Sequence, residues 1–288
     1  MKTIRLLYPD FVSGGLTTYW FGAKLLAHML PDNPDQPLFE VKTAAPGEED
    51  QAQTQGIRSR REVLEGIAAA QAVLEEQKPD RLITVGGNCI VSLAGFDYLH
   101  GLYPDAGVIW IDAHPDVSTP EDDYPFAHAM VLGSMLGGGA PALRETMKNG
   151  LFDPKRVLYV GLQGLHDYQK KALTDLGVNF RVQTESFVSN EEIAAFASRF
   201  AHVFVHLDID VLDPALFHST YFANKDLVGD GSGGGRMTMQ ELSGVLETIA
   251  KASDIAGLTL AEYLPFDEER LSKMLSGLSV LTERANAQ

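Results

Sequence analysis

The chain has 288 residues, of which 45% are hydrophobic and 22% charged, as in ordinary globular proteins with a substantial core. Its net charge of −16 provides no basic surplus for the phosphates of a nucleic acid, and no apolar run reaches the roughly 20 residues that span a bilayer. Nucleic-acid and membrane partners are therefore not expected. Two explanations of the negative charge remain open, namely solubility alone and the attraction of a cationic small molecule or metal ion.

The single cysteine, Cys89, excludes a disulfide within the chain and is typical of a reducing cytosol. The amino terminus carries only a short apolar stretch with no small-residue cleavage site after it, so no signal peptide is predicted. We therefore expect a cytoplasmic protein.

Short apolar runs alternate with helical spacing of apolar residues along the chain. The first half is predicted to contain strands at residues 3–8, 38–42, 81–85 and 108–111, helices at 20–30, 59–77 and 90–99, and an exposed loop at 44–56. The second half is predicted to contain strands at 157–161, 180–182, 203–210 and 255–260, and helices at 126–136, 141–149, 167–176, 191–200, from 238 onwards and at 267–284. A long glycine-rich loop at 215–235 is predicted to be a mobile flap.

This alternation predicts an α/β protein with a mostly parallel sheet of about eight strands, covered by helices on both faces. An open doubly wound sheet and a closed eight-stranded barrel both fit the pattern. No repeat, low-complexity tract or linker divides the chain, so residues 1–288 are expected to form a single domain.

Acidic side chains follow two of the buried strands. The apolar run VIWI is followed by Asp112, His114 and Asp116, and the later run is followed by two more carboxylates, Asp208 and Asp210. Alternate residues of an extended chain point the same way, so each set can converge on one point. Unpaired carboxylates at the ends of core strands repel each other strongly, and a bound metal ion removes that repulsion. The sequence therefore predicts a metal site rather than two helix-capping turns.

Three short motifs resemble the signatures of a known family. They are GGNC at residues 86–89, DAHPD at 112–116 and LDIDVLDP at 207–214. In this order and spacing they resemble the ureohydrolase family, which includes arginase, agmatinase, guanidinobutyrase and formiminoglutamase. The resemblance implies an arginase-like three-layer α/β/α fold with an eight-stranded parallel sheet, and manganese-dependent hydrolysis of a guanidino or amidino C–N bond that releases urea or a related product. It also implies a homo-oligomer, either a trimer or a hexamer.

The resemblance further implies ligands for two metal ions. Asp112 and Asp208 would bridge the two ions, and His114 and Asp210 would complete the first site. All of these donors are carboxylate oxygens or imidazole nitrogens, which are the ligands that Mn²⁺ prefers.

The second site departs from the family pattern. It would take Asp116, but the histidine of the family's first motif is replaced here by Cys89. A thiol suits softer metals than Mn²⁺ and must lose its proton to coordinate. We therefore predict one firmly held Mn²⁺ and a second site that is weak or empty, whether Cys89 is a ligand or a small buried hydrophobe.

Two further residues match family positions with catalytic roles. His128 matches a histidine that shuttles a proton to the leaving amine, a task that suits a group titrating near neutral pH. Glu262 matches a glutamate that pairs with the guanidinium of the substrate. Together with the metal-binding Asp116 they are the predicted catalytic residues. The alternatives are a core histidine and a strand-end cap.

The predicted substrate contacts differ from those of arginase. Ser118 and Thr119 occupy positions that contact the amino-acid end of arginine, and Ser118 replaces an asparagine. His166 stands where arginase carries a carboxylate for the amino group, and Gln169 replaces a second acidic residue. The recognition of an α-amino group is therefore not reproduced. His206, where the family usually has a small hydroxyl residue, is expected to support or pack rather than to bind metal.

The leading hypothesis is a manganese-dependent C–N hydrolase that acts on a small cationic guanidino substrate. A cysteine in the first motif also resembles arginase-like hydrolases of N-hydroxyarginine, so an N-hydroxyguanidine is a candidate substrate. One alternative is a non-catalytic relative that keeps one metal and binds a small ligand or a partner chain. The other is an amidohydrolase of formimino-type substrates.

Overall fold

The structure is a computed structural model that describes residues 1–227, 229, 231–278 and 281. Its strands are β1 (Thr3–Tyr8), β2 (Leu38–Glu40), β3 (Gln53–Thr54), β4 (Ile57–Arg58), β5 (Arg81–Gly86), β6 (Gly107–Ile111), β7 (Val157–Val160), β8 (His202–Asp208) and β9 (Asp254–Ala261). Its α-helices are α1 (Thr18–Met29), α2 (Arg60–Gln77), α3 (Ser92–Leu102), α4 (Val131–Met135), α5 (Pro141–Arg144), α6 (Asp167–Leu176), α7 (Asn190–Ala197), α8 (Met239–Ala252) and α9 (Phe266–Ser276). Short 3-10 helices occupy Cys89–Val91, Ala127–Met130, Pro154–Arg156, Ile209–Val211 and Tyr221–Ala223.

The main sheet is parallel and open. Its seven strands lie in the order β2-β1-β5-β9-β8-β6-β7, and the edge strands β2 and β7 do not pair with each other. The closed-barrel alternative is therefore wrong. A separate antiparallel hairpin of β3 and β4 lies at the end of the segment that was predicted to be an exposed loop.

The predicted eighth strand is wrong, because residues 180–182 form no strand in the structure. Instead, the buried side chain of Gln183 makes hydrogen bonds with the backbone of β7 and of the residue that follows it. Its Nε2 donates to the carbonyl of Tyr159, and its Oε1 accepts from the N–H of Gly161, both at 3.0 Å. A side chain therefore makes hydrogen bonds that an eighth strand could have made.

Helices cover both faces of the sheet and give the predicted three layers. Helices α2, α3, α4 and α6 pack on one face, where Val108 and Trp110 of β6 are buried. Helices α7 and α8 pack on the other face, against Ile109 and Ile111 of the same strand. Because both of its faces are covered, the sequence of β6 is apolar throughout.

The strand order and register determine where the loops meet. Ile111 of β6 pairs with Leu207 of β8, and Asp208 pairs with Ala261 of β9. The N–H of Glu262, just after β9, donates to the carbonyl of Gly87, just after β5, at 2.7 Å. The segments after β5, β6, β8 and β9 therefore leave the sheet side by side at its carboxyl edge, where open α/β sheets bind ligands.

The helix predictions differ from the structure mainly at the helix ends. Helix α8 begins with the predicted capping box, in which Thr238 and Glu241 accept from each other's backbone N–H. The predicted helix at 126–136 is a 3-10 turn followed by α4. Helix α9 ends at Ser276 rather than at 284, and residues 279–280 and 282–284 lie outside the described residues. Within the described ranges, no helix combines the length and apolar character needed to cross a membrane.

Candidate active site

The segments after β5, β6, β8 and β9 line one pocket at the carboxyl edge of the sheet. Its lining residues are Tyr19, Cys89, His114, Asp116, Ser118, Tyr124, His128, Ala129, Tyr168, Gln169, Asp208, Asp210, Tyr221, Phe222, Gly229, Ser232 and Glu262. Asp112 is fully buried and accepts a hydrogen bond from the N–H of His114 at 2.6 Å. Most of the predicted site residues therefore share one pocket, whereas Asp112, Thr119 and His166 are not among its described lining residues.

Asp112, His114 and Asp210 form a first ligand group, whose donor atoms all lie within 4.8 Å of one another. His114 Nδ1 is 3.1 Å from Asp210 Oδ2 and 3.5 Å from Asp112 Oδ1. The other ring nitrogen of His114 is 3.0 Å from the carbonyl oxygen of Gly233, and Trp110 Nε1 donates to Asp112 Oδ2 at 3.0 Å. Outer contacts of this kind orient metal ligands.

Cys89, Asp112, Asp116 and His206 form a second ligand group within the same 4.8 Å limit. It shares Asp112 with the first group and contains a histidine that was not predicted as a ligand. Asp208, which the resemblance assigns to both ions, belongs to neither group. Its Oδ2 accepts a hydrogen bond from the Cys89 thiol at 3.1 Å. The structure thus brings the predicted ligands together but places Asp208 against Cys89.

The buried carboxyl groups of the site repel one another. Burial, together with neighbouring carboxylates, raises the pKa of Asp112 to about 6 and the pKa values of Asp116 and Asp208 well above their usual range. Burial is the largest single influence on His114 and acts against its charged form, but the charges and hydrogen bonds of Asp210 and Asp112 together outweigh it and raise the pKa of His114 well above the ordinary value. Burial is also the largest single influence on Asp210, but the charge and hydrogen bond of His114, with further hydrogen bonds, together lower the pKa of that carboxyl. A divalent cation would relieve the repulsion that remains.

Three buried polar atoms of the ligand groups have no hydrogen-bond partner among the described residues. They are Asp116 Oδ2, Asp210 Oδ1 and His206 Nε2. A buried polar atom without a partner costs about 1–3 kcal/mol, and coordination to a metal removes that cost. The donor set therefore fits divalent cations.

His206 is fully buried within β8. Its ring stacks on Trp110 with 3.7 Å between the centroids, and its Nδ1 is 2.8 Å from Ser92 Oγ. Burial lowers the pKa of His206 to about 3, so the imidazole is neutral. The sequence signal for its position was the alternation that places His206 and Asp208 on the same face of the strand.

The predicted catalytic pair lies beside the ligand groups. His128 Nδ1 is 3.1 Å from Glu262 Oε1, and His128 Nε2 is 3.1 Å from the hydroxyl of Tyr124. The N–H of Cys89 donates to Glu262 Oε1 at 3.3 Å. Tyr19 also hydrogen-bonds Glu262, and burial together with that carboxylate raises the pKa of Tyr19 well above its usual value. Neither tyrosine belongs to a recognisable motif, so sequence reasoning missed both.

Two site residues have a left-handed backbone although they are not glycine. Asp116 has φ of +52° and Glu262 has φ of +62°. Such a conformation costs of order 1–3 kcal/mol in a residue with a side chain, and it persists where the surrounding structure enforces it. Both residues were predicted to be catalytic, so the strain coincides with the predicted chemistry.

The three predicted substrate-binding residues lie in different settings. Ser118 lines the pocket. Thr119 closes a turn, in which its N–H and its hydroxyl both donate to Asp122 Oδ2. His166 precedes α6, and its Nε2 is 3.3 Å from the hydroxyl oxygen of Ser232 in the glycine-rich loop.

The pocket wall is largely aromatic. Its rings belong to Tyr19, Tyr124, Tyr168, Tyr221 and Phe222. The face of such a ring attracts cations, as do the carboxylates below it. The glycine-rich loop lies against the site through the Gly233 carbonyl described above; its residues Val228 and Asp230 lie outside the described residues, and its mobility stays a prediction.

Known proteins resemble this chain in sequence and in structure. A sequence model described as the Arginase family matches residues 49–283. The N(omega)-hydroxy-L-arginine amidinohydrolase of Streptomyces lavendulae is 29% identical over 212 residues, which cover 73% of this chain and 71% of that protein. The arginase of Bacillus caldovelox is 29% identical over 237 residues, which cover 77% and 74%. The crystal structure of Entamoeba histolytica arginase in complex with L-ornithine has a TM-score of 0.74 at 19% identity and covers 99% of this chain and 100% of that chain.

The sequence match spans well over half of the chain, and the structural match confirms the arginase-like α/β/α fold. The resemblance to ureohydrolases that the motifs indicated is thereby confirmed. The chain therefore belongs to the arginase family and is a hydrolase of amidino C–N bonds.

Proposed function

We propose that this chain hydrolyses the guanidino C–N bond of a small cationic substrate and releases urea or a related product. The observation that carries the proposal is that the first ligand group and the His128–Glu262 pair meet at one pocket. The ligand group suits a divalent metal, and the pair suits the binding of a planar cation and the movement of a proton. Residues 1–288 would act as a single domain.

The first ligand group would hold one Mn²⁺ firmly, with Asp208 nearby, because it consists of carboxylate oxygens and an imidazole. When bound, a divalent ion lowers the pKa of water at the site and so provides a nucleophile at neutral pH. The second ligand group includes Asp116 and the Cys89 thiol, and we expect it to hold Mn²⁺ weakly or not at all.

The chain's own residues would bind the cation and move the proton. Glu262 would pair with the guanidinium, and its carboxylate is held in place by Tyr19 and by the N–H of Cys89. His128 would donate a proton to the departing amine nitrogen, and its ring is oriented between Tyr124 and Glu262. The His128 ring lies against the carboxylate that would bind the guanidinium, so the proton would travel a short path.

The rest of the substrate would lie towards Ser118, Thr119 and His166. An N-hydroxyguanidine is the substrate that we favour. Its support is Cys89 in the first motif and the similarity to the Streptomyces lavendulae protein. A cytoplasmic location and a trimeric or hexameric assembly belong to the same proposal.

The test is an assay of the purified protein with added Mn²⁺ over a panel of arginine, N-hydroxyarginine, agmatine, guanidinobutyrate and formiminoglutamate. We expect release of urea or hydroxyurea, with N-hydroxyarginine cleaved faster than arginine. Comparable turnover of those two compounds would contradict the preferred substrate. Release of formamide alone would assign the formimino class, and no product from a metal-loaded protein would indicate a non-catalytic relative.

A further inference from the structure

The second ligand group differs from the first because its donors include the thiol of Cys89. We propose that Cys89, His206, Asp112 and Asp116 bind a borderline-soft divalent cation such as Zn²⁺ in preference to Mn²⁺, with His206 providing the imidazole. This inference rests on the proposed function only in that Mn²⁺ occupies the neighbouring first ligand group. His206 would thus return an imidazole to a site whose first-motif histidine is a cysteine.

The four residues come from three neighbouring parts of the sheet. Cys89 begins the 3-10 helix after β5, Asp112 and Asp116 follow β6, and His206 lies within β8 beside Trp110. All four are at most 4% exposed. In a tetrahedral Zn²⁺ site, bonds of about 2.0–2.3 Å place the donors roughly 3.3–3.7 Å apart. A set whose donors lie within 4.8 Å of one another can therefore close on one ion through a contraction of about 1 Å.

Unpartnered atoms mark this group as a binding site. In the described part of the chain, His206 Nε2 and Asp116 Oδ2 are buried and have no hydrogen-bond partner. The His206 ring is fixed by the stack on Trp110 and by the contact of its Nδ1 with Ser92 Oγ. A metal-binding histidine is typically held in this way through its second nitrogen, which leaves the first one for the ion. The plain alternative is that His206 only packs against Trp110.

The chemistry of the donors decides which ion they prefer. Thiolate, imidazole and carboxylate in a four-coordinate set are typical of Zn²⁺, whereas a thiolate is a poor ligand for Mn²⁺. Binding would release the Cys89 proton to solvent and form the metal–sulfur bond, because only the thiolate coordinates. The two ligand groups would therefore differ in the metal that each one prefers.

The experiment measures metal binding rather than turnover. The full-length protein is stripped with a chelator, loaded with Mn²⁺ and titrated with Zn²⁺, or with Co²⁺ as a coloured substitute. We expect one tightly bound Zn²⁺ or Co²⁺ per chain beside the Mn²⁺, with a sulfur-to-cobalt charge-transfer band. His206→Gln should weaken Zn²⁺ binding by at least about tenfold, because the loss of even an outer contact of a ligand typically costs 10- to 100-fold in affinity. Cys89→Ser should abolish the charge-transfer band.

His100→Gln is the matched control, because His100 stacks on Phe152 with 4.2 Å between ring centroids and belongs to none of the described ligand groups. It should leave both metals in place. Unchanged Zn²⁺ affinity and an unchanged cobalt spectrum in His206→Gln would overturn the proposal. If that variant fails to fold, X-ray absorption of the Zn²⁺-loaded wild-type protein decides: zinc without a sulfur ligand would overturn it. This experiment is independent of the substrate panel. A zinc site can be present in a protein that cleaves none of the compounds, and cleavage can occur in a protein without a zinc site.

Discussion

The two ligand groups share Asp112 but balance their charge differently. In the first group, His114 lies 3.1 Å from Asp210, and this imidazole and this carboxylate favour each other's charged forms. In the second group, Cys89 and Asp116 face further carboxylates, and His206 is neutral. The first group is therefore partly neutralised by its own histidine. The second can reach neutrality only by retaining protons or by binding a cation.

The largest effect is expected when the carboxylate that both ligand groups share is removed. Asp112→Asn should lower metal content in both groups and reduce turnover by about 1000-fold or more, because several kcal/mol of metal assistance would be lost. Elemental analysis and the substrate panel measure the two effects. Asp175→Asn is a suitable control, since Asp175 is an exposed partner of Lys171. Full metal content in Asp112→Asn would contradict both proposed sites.

His128→Asn tests the chemistry that lies beside the two groups. It should leave metal content unchanged and reduce kcat by about 100- to 10,000-fold, the usual contribution of a general acid. Tyr124→Phe removes only the hydroxyl that contacts the His128 ring and should have a smaller effect. Equal kcat values for His128→Asn and wild type would exclude the proton-donor role.

Cys89→His sharpens the contrast between the groups, because it replaces the thiol with a donor that Mn²⁺ prefers. The variant should bind a second Mn²⁺ per chain, with affinity raised by about tenfold over the wild type. Manganese titration followed by electron paramagnetic resonance would count the ions. If the variant folds and still binds one Mn²⁺, Cys89 does not limit the second site.

The raised pKa values of the buried carboxyls should make part of the stability of the metal-free protein depend on pH. The pKa of Asp112 is raised from 3.8 to about 6, and those of Asp116 and Asp208 are also raised. A raised carboxyl pKa means that the folded state binds the proton more tightly than the unfolded state. Its stabilising effect is complete below the unfolded pKa and is lost as the pH rises through about 6.

The lowered pKa of His206 acts in the opposite direction, because the unfolded histidine gains a proton on acidification and the folded one does not. The matched reference is therefore chelator-treated Asp112→Asn, which keeps His206 but lacks one raised carboxyl. Relative to that variant, chelator-treated wild type should gain about 1–2 kcal/mol of stability, or a few degrees in Tm, between pH 7.5 and pH 5. Thermal unfolding at the two pH values gives the measurement. Metal-loaded protein should show the reverse trend, because acid displaces the metal. An equal pH dependence in metal-free wild type and metal-free Asp112→Asn would contradict the picture of uncompensated carboxyls.

The sequence correctly predicted the layers of the fold, but it wrongly predicted an eighth strand. Apolar runs such as β6 and β8 identify strands buried on both faces, and their polar ends identify the edge where the site lies. The eighth strand could not be ruled out, because the competing partner is the side chain of Gln183, outside the predicted run. Hydrogen bonds of that kind depend on the tertiary structure and leave no periodic signal.

The predicted site residues came from motifs with tight local spacing. Residues outside the motifs were missed for a physical reason. Tyr19 starts a helix far from Glu262 in sequence, and only the packing of α1 brings its hydroxyl to that carboxylate. His206 could be placed on the right face of β8, but whether one of its nitrogens lacks a partner depends on Ser92, which comes from another part of the chain.

Trp110 joins the two ligand groups in one side chain, since its indole N–H donates to Asp112 while its ring stacks on His206. The chain has only one other tryptophan, Trp20. The fluorescence emission of Trp110 should therefore change when the charge of Asp112 or the position of the His206 ring changes. Intrinsic fluorescence would thus report metal binding without an added dye. Stepwise addition of two different ions should give two separate changes in fluorescence, and Trp20→Phe would assign them to the buried indole.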